Sequence, residues 1–278
     1  MAVAAALSVG LVASSAPAVG ETTWTRVGTG INQGISGIAP AASGWVVVRD
    51  NKLSGQNRVA RLSDANVVKN LTWPGSAPSD LEAIDAVPLQ SNRFAVVTSN
   101  GTGRIISVSG TSMTVVRSFT LPAGKVENES FALARVGTST VAVWANRGST
   151  TTAGRLFAAT FNPSTGAFGQ VAQASVTVPF PTTNVRPISD AKVMPDRRIV
   201  ISSASDRGDN GPFDAALYAV GTVSVTAGRA QLAGVTPVSL GTYPSHKVEA
   251  IACKETGGIL GTDDENLGGW VAADPFCA

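Results

Sequence analysis

A short phrase recurs five times along this chain, each time with a small or acidic polar residue at its head and an apolar stretch behind it. The heads lie 46, 47, 60 and 60 residues apart. Self-similarity at a period near 50 residues is typical of repeat proteins, including propellers. The phrases are Ser36-Gly37-Ile38, Glu82-Ala83-Ile84, Glu129-Ser130-Phe131, Ser189-Asp190-Ala191 and Glu249-Ala250-Ile251. If the repeats surround one axis, five residues that are distant in sequence meet at one point.

The repeats are built from short apolar runs rich in Val, Ile and Thr and separated by Gly, Asn, Asp and Pro, a pattern typical of strands and turns. The first four repeats contain four runs each, and the fifth contains three. Segment 22–27 precedes the first head as a fourth strand would, so we expect it to complete the last blade. We therefore predict an all-β fold, a five-bladed β-propeller of four-stranded blades in a single domain, residues 21–278. A pair of β-sandwiches is the alternative, but it leaves the repeated heads unexplained.

The N-terminal segment 1–20 resembles a signal peptide, because it is small and apolar and contains the cleavage-like pattern Ala16-Pro17-Ala18. It departs from that pattern because no Lys or Arg precedes Arg26. We expect a secreted protein with no membrane association after cleavage; an uncleaved membrane anchor is the alternative. Charged residues make up only 14% of the chain and the net charge is +2, so nucleic acid is not an expected partner. We expect a monomer.

The chain contains two cysteines, Cys253 and Cys277. An even number of cysteines in an exported protein predicts a disulfide, which would tie the C-terminal tail to the last inner strand. Two buried free thiols are the alternative.

The first strand of each propeller blade lines the central channel, and the loop after the second strand opens at the same mouth. The five heads and these five loops should therefore form one site. Polar residues follow the second strand in every repeat. The candidate catalytic residues in these loops are Asp50, Arg147, Arg207, Asp263 and Asp264.

Three of the five heads are glutamates, and three carboxylates that face each other repel unless a cation lies between them. Calcium accepts six to eight oxygen ligands in irregular geometry, whereas magnesium demands strict octahedral geometry and zinc prefers His or Cys. We expect Ca²⁺ to be held by Ser36, Glu82, Glu129, Ser189 and Glu249. A polar, water-filled channel is the alternative.

The order Ser, Glu, Glu, Ser, Glu over five blades resembles the calcium-activated soluble apyrases, five-bladed propellers with one calcium ion in the central tunnel. The likeness spans nearly the whole chain, and Lys247-Val248-Glu249-Ala250-Ile251 is similar to the last-blade motif of that family. It implies that the five heads face calcium, that Asp50 matches an acidic position and that Arg147 matches a basic one. Glutamate-headed inner strands are also similar to those of phytase-like esterase propellers.

These features predict a calcium-dependent hydrolase that cleaves a phosphoanhydride or phosphoester of a small phosphorylated substrate at the central funnel. Asp50, Asp263 or Asp264 would accept a proton, and Arg147 or Arg207 would balance charge in the transition state. A non-catalytic extracellular propeller that binds a glycan, peptide or envelope component around a structural calcium is the alternative.

Overall fold

The computed structural model describes residues 22–124 and 126–277 and folds them into five antiparallel sheets. The signal-like segment 1–20 lies outside the described residues. The strands, in chain order, are β1 Thr25–Arg26, β2 Gly37–Pro40, β3 Trp45–Val48, β4 Val59–Leu62, β5 Val68–Leu71, β6 Leu81–Ala86, β7 Arg93–Thr98, β8 Thr102–Ser109, β9 Ser112–Thr120, β10 Asn128–Val136, β11 Ser139–Asn146, β12 Gly154–Asn162, β13 Ala167–Phe168, β14 Ala172–Val176, β15 Val185–Val193, β16 Arg198–Ser205, β17 Asp214–Thr226, β18 Arg229–Ala233, β19 Val238–Pro244, β20 Val248–Lys254, β21 Gly257–Thr262 and β22 Trp270–Asp274. The described residues also form three 3₁₀ helices, Ile31–Gln33, Glu265–Leu267 and Pro275–Cys277.

The five sheets are the blades of a propeller, as predicted. Blade 1 contains β2 to β5, blade 2 contains β6 to β9, blade 3 contains β10, β11, β12 and β14, and blade 4 contains β15, β16, β17 and β19. Blade 5 contains β20, β21 and β22, and its outermost strand is β1 from the opposite end of the chain. Thr25 lies opposite Val271 and Arg26 lies opposite Trp270. The predicted closure of the last blade by the N-terminal strand is confirmed.

The outer strands of blades 3 and 4 differ from the sequence prediction. The apolar pattern of the sequence predicts a single strand over 168–178 and another over 230–240, but the structure divides each segment in two. In blade 4, the 13-residue strand β17 is longer than the blade: its first half pairs with β19, and its second half pairs with β18. Ala227 and Gly228 both have positive φ, 48° and 76°, as a tight two-residue hairpin turn requires. The apolar pattern does not reveal where such a hairpin leaves the blade.

The core consists of five apolar clusters, one between each pair of neighbouring blades. Ile84 from blade 2 packs beside Val46 from blade 1, for example, and Ile251 from blade 5 packs beside Val200 from blade 4. Each blade is therefore apolar on both faces and needs a neighbour on both sides. Only a closed ring of blades covers both apolar faces of every blade, because an open array would leave one face of each terminal blade exposed.

A buried lysine crosses the lower part of the channel. Lys192 of blade 4 is 4% exposed, and its Nζ donates to the carbonyl of Ile84 in blade 2 (3.0 Å) and lies 3.4 Å from Asp190 Oδ1. Asp190 also accepts the backbone NH of Ile251 in blade 5 at 2.9 Å. Asp85 of blade 2 accepts a backbone NH of blade 3 in the same way. These groups cross-link the inner strands of blades 2, 3, 4 and 5.

The predicted disulfide between Cys253 and Cys277 is present and joins β20 to the C-terminal 3₁₀ helix. Within residues 22–124 and 126–277, no helix combines the length and the hydrophobicity that a membrane span requires.

We predict that Lys192→Met lowers the free energy of unfolding by about 3–5 kcal/mol, because it leaves Asp190 and Asp85 buried without their common cation. Urea unfolding followed by circular dichroism measures the change. Lys69→Met, on the exposed outer strand β5, is the control and should leave stability nearly unchanged. Equal stability of the two variants would contradict this role of Lys192.

Candidate active site at the central funnel

A β-bulge at the start of the inner strand re-aims the head residue in four of the five blades. The register between the first two strands shifts across Glu82 in blade 2, Glu129 in blade 3 and Glu249 in blade 5, and across a longer segment that contains Ser189 in blade 4. An extra residue in one strand bends it and turns a side chain out of the normal alternation. This geometry explains why polar heads interrupt otherwise apolar strands.

The heads of blades 2, 3 and 5 line an open cavity of about 520 Å³ at the mouth of the channel, which we call the funnel. Its described lining contains seven acidic and four basic side chains, an acidic excess of three if all are ionised. The acidic residues are Asp50, Glu82, Glu129, Asp209, Glu249, Asp263 and Glu265. The basic residues are Lys52, Arg147, Arg186 and Lys247. The funnel is therefore suited to a ligand that carries charge.

The three glutamate heads differ in their partners. Glu249 Oε1 lies 3.0 Å from Arg186 Nη1 and 3.4 Å from Lys247 Nζ. Glu129 Oε1 lies 3.7 Å from Arg147 Nη1. Glu82 is 9% exposed, and its carboxylate has no hydrogen bond or ion pair within the described part of the chain. Two of the glutamates thus form ion pairs with protein cations, and Glu82 does not.

Glu82 belongs to a compact acidic cluster with Asp50 and Asp80. One carboxylate oxygen from each residue lies within 4.8 Å of the other two. Lys52 Nζ lies beside this cluster, 3.0 Å from Asp80 Oδ1 and 3.6 Å from Asp50 Oδ2. The cluster joins the loop after β3 to the start of β6, so it lies at the junction of blades 1 and 2.

Burial raises the pKa of Glu82 well above its usual range, and the negative charges of Glu129, Asp50, Asp80 and Glu249 raise it further. Burial likewise raises the pKa of Glu129 to about 8, despite the opposing effect of nearby arginines. The physical cause is that these carboxylates have left water for a site crowded with like charge. The same energetic cost would be relieved by a bound cation.

The two serine heads do not line the funnel. Ser36 Oγ accepts the backbone NH of Asp50 at 3.1 Å and so positions the loop that carries this carboxylate. Ser189 is 1% exposed, and its hydroxyl has no hydrogen-bond partner among the described residues. The structure therefore brings together three of the five predicted metal ligands.

Three of the five predicted catalytic residues, Asp50, Arg147 and Asp263, line the funnel. The Asp263 carboxylate lies directly against Gly34, where a Cβ would come within 1.8 Å of Oδ1, so any larger residue at position 34 would displace this carboxylate. Burial raises the pKa of Asp263 well above its usual range. Arg207 is exposed and donates to Thr183 Oγ1, outside the funnel lining.

Asp264 is turned away from the funnel. Its carboxylate lies 2.6 Å from His246 Nδ1 and accepts the backbone NH of Lys247, also at 2.6 Å. The histidine ring packs against Trp24, with the ring centroids 4.2 Å apart. Asp264 and His246 thus connect blade 5 to the segment that closes it.

Sequence reasoning missed two funnel residues, Arg186 and Lys247, and also Asp80, which lies beside the funnel residues Asp50 and Glu82. Arg186 forms ion pairs with both Asp206 and Glu249 and thereby links blades 4 and 5. Lys247 is 1% exposed and pairs with Glu249 and Glu265. A sequence signal was present, because Asp80 and Lys247 each lie two residues before a glutamate head.

No family model matches the chain, and no curated protein matches it in sequence. Among solved structures it is similar to a protein described under "The GH130 family of mannoside phosphorylases contains glycoside hydrolases that target beta-1,2 mannosidic linkages in Candida mannan". The two chains share 12% identity with a TM-score of 0.48, and the alignment covers 95% of this chain and 99% of the other. A likeness this distant carries no argument about activity, so the functional proposal depends on the funnel itself.

We predict that the metal-free protein loses stability as the pH rises from about 5 to about 8, measured by urea unfolding in chelator. The folded pKa of Glu129, about 8, lies above its ordinary value of 4.5. The folded protein therefore holds a proton that the unfolded chain has released, and the stabilisation present below that ordinary value is lost as the pH rises through about 8. Each such group contributes a slope of at most about 1.4 kcal/mol per pH unit.

Glu129→Gln should flatten this slope, because glutamine does not titrate. Glu255→Gln, at an exposed turn, is the matched control and should retain the wild-type slope. If Glu129→Gln and the wild type lose stability equally with pH, the assignment of this titration to Glu129 is wrong.

Proposed function

We propose that this protein is a secreted, calcium-binding propeller that hydrolyses a phosphoanhydride or phosphoester at the central funnel. The observation that carries the proposal is the pairing, in one open cavity, of the buried Glu82 carboxylate, which has no ion pair, with the accessible guanidinium of Arg147. The first suits a cation, and the second suits an anionic group of the substrate.

The donor set fits calcium better than other common metals. The carboxylates of the funnel offer hard oxygen ligands in an irregular arrangement, which calcium tolerates. Both cysteines form the disulfide, and His246 is engaged with Asp264, so the soft or imidazole ligands that zinc prefers are not provided by these residues. The acidic excess of the lining, three charges if all groups are ionised, favours a divalent cation over an anion.

Arg147 is the residue best placed to bind a phosphoryl group. Its side chain is 30% exposed, whereas Arg186 and Lys247 are more deeply buried in ion pairs. A guanidinium recognises phosphate oxygens through two parallel charge-assisted hydrogen bonds. Glu127 Oε1, 2.5 Å from Arg147 Nη2, holds the guanidinium at the rim of the funnel.

Asp263 is the candidate for proton transfer. It lines the funnel, and burial raises its pKa above the usual range of a carboxyl group, which suits a group that exchanges a proton during the reaction. A calcium ion in the funnel would supply polarisation of the phosphoryl oxygen. In this proposal, Arg147 orients the substrate, Asp263 transfers the proton, and the remaining funnel carboxylates supply the negative charge that attracts the cation.

The test is phosphate release from ATP, ADP and a generic phosphoester, with calcium and with chelator. We expect release only with calcium, and a loss of about 10²-fold in kcat/KM for Arg147→Met, the order of magnitude for removing one electrostatic contact to a transition state. Arg155→Met, an exposed arginine on β12 of the same blade, should keep wild-type activity.

Two results would overturn the hydrolase proposal. One is the absence of phosphate release from all three substrates while calcium still raises the melting temperature, which would favour the non-catalytic binding propeller with a structural ion. The other is equal activity of Arg147→Met and Arg155→Met, which would remove the arginine from the reaction.

A further inference from the structure

We infer that the divalent cation binds off the propeller axis, between Asp50, Asp80 and Glu82 at the junction of blades 1 and 2, and that it displaces the ammonium of Lys52. This inference rests on the calcium-binding part of the proposed function. It replaces the symmetrical ring of five head residues with a ligand set from two adjacent blades.

The spacing of the cluster fits a single ion. Oxygens that bind the same calcium at about 2.4 Å can be at most about 4.8 Å apart. Asp50, Asp80 and Glu82 meet this limit, with one oxygen from each within 4.8 Å of the others. The side chains of Asp50 and Asp80 are 31% and 26% exposed, so the cluster is open to solvent on one side. Water or substrate oxygens could complete the coordination there.

The distribution of protein cations also points to this position. Glu129 and Glu249 each have an arginine partner, but the buried carboxylate of Glu82 meets none within the described residues. A carboxylate that is nine-tenths buried and has no partner is costly when ionised. On the axis an ion would share its ligands with Arg147 and Arg186, whereas beside Glu82 it meets a buried carboxylate that has no ion pair of its own.

Lys52 shows that the cluster already attracts a cation. Its ammonium lies 3.0 Å from Asp80 Oδ1 and 3.6 Å from Asp50 Oδ2. The side chain is 60% exposed, so the ammonium can leave for solvent at little cost. A lysine in this place competes with a metal ion and lowers the apparent affinity for it.

The carboxylates are held in place by other groups. The hydroxyl of Ser99 donates to Asp80 Oδ2, and the backbone NH of Asp80 donates to Asn51 O at 3.3 Å. Ser36 Oγ accepts the NH of Asp50. In this arrangement Ser36 positions the loop after β3 instead of binding the ion. That loop supplies Asp50 as a ligand.

Calcium binding to the full chain, measured by isothermal titration calorimetry without substrate, tests the position of the ion. We expect Asp80→Asn to weaken binding by about tenfold or more, because it removes a charged ligand. Asparagine tolerates the left-handed backbone that Asp80 adopts (φ 65°), and thermal melting checks that the variant is folded. Lys52→Met should tighten binding several-fold, an effect that misfolding would not produce.

Two controls separate a ligand from a nearby charge. Glu127→Gln removes the acid at the corresponding position of blade 3, which also has a left-handed backbone (φ 53°) but lies beside Arg147. Ser189→Ala removes a hydroxyl that only the symmetrical ring would use. We expect both to bind calcium within about threefold of the wild type, as changes outside the ligand set should.

The inference is overturned if Asp80→Asn binds calcium as tightly as Glu127→Gln, if Ser189→Ala weakens binding as much as Asp80→Asn does, or if Lys52→Met fails to bind more tightly. These results leave the hydrolase proposal intact where calcium-dependent phosphate release is observed. Conversely, the expected binding pattern without phosphate release supports the site and rejects the reaction.

Discussion

The convergence of five inner strands on one axis is the constraint on which the rest of this structure depends. Each blade is apolar on both faces, so its neighbours must cover it, and only a closed ring covers all five. Closure brings the inner strands together from every part of the chain. Charged side chains that would be solvated in separate strands then lie within a few ångströms of each other. Charge repulsion and desolvation make their ionised forms costly unless a cation lies beside them.

The protein compensates this crowding differently along the axis. In the lower channel, Lys192 pairs with Asp190, donates to a backbone carbonyl of blade 2 and, by its charge, opposes the rise that burial causes in the pKa of Asp85, and the result is a cross-link between blades. At the funnel, Arg147 and Arg186 compensate two of the glutamate heads. Glu82 has no ion pair, so a cation is most needed on that side of the funnel.

Much of the fold was predictable because it depends on local pattern. The repeat period, the strand and turn composition and the unmatched segment at the N-terminus predicted five blades and their closure, and the cysteine count predicted the Cys253–Cys277 bridge. The hairpin of β17 and β18 was missed, because an apolar run does not show where a strand leaves its sheet. The candidate site was predicted in part: Glu82, Glu129 and Glu249 line the funnel, whereas Arg207 and Asp264 do not.

The sequence by itself determined that five inner strands share one axis and that a polar head residue lies in or directly before each, since the period and the strand pattern fix where each repeat begins. Only the tertiary structure decided which charges become neighbours. Asp80 meets Asp50 because two loops of different blades are hydrogen-bonded together, and Arg186 meets Glu249 across 63 residues of chain. Pairing between distant charges depends on distances of a few ångströms, and the spacing of residues along a chain carries no such information.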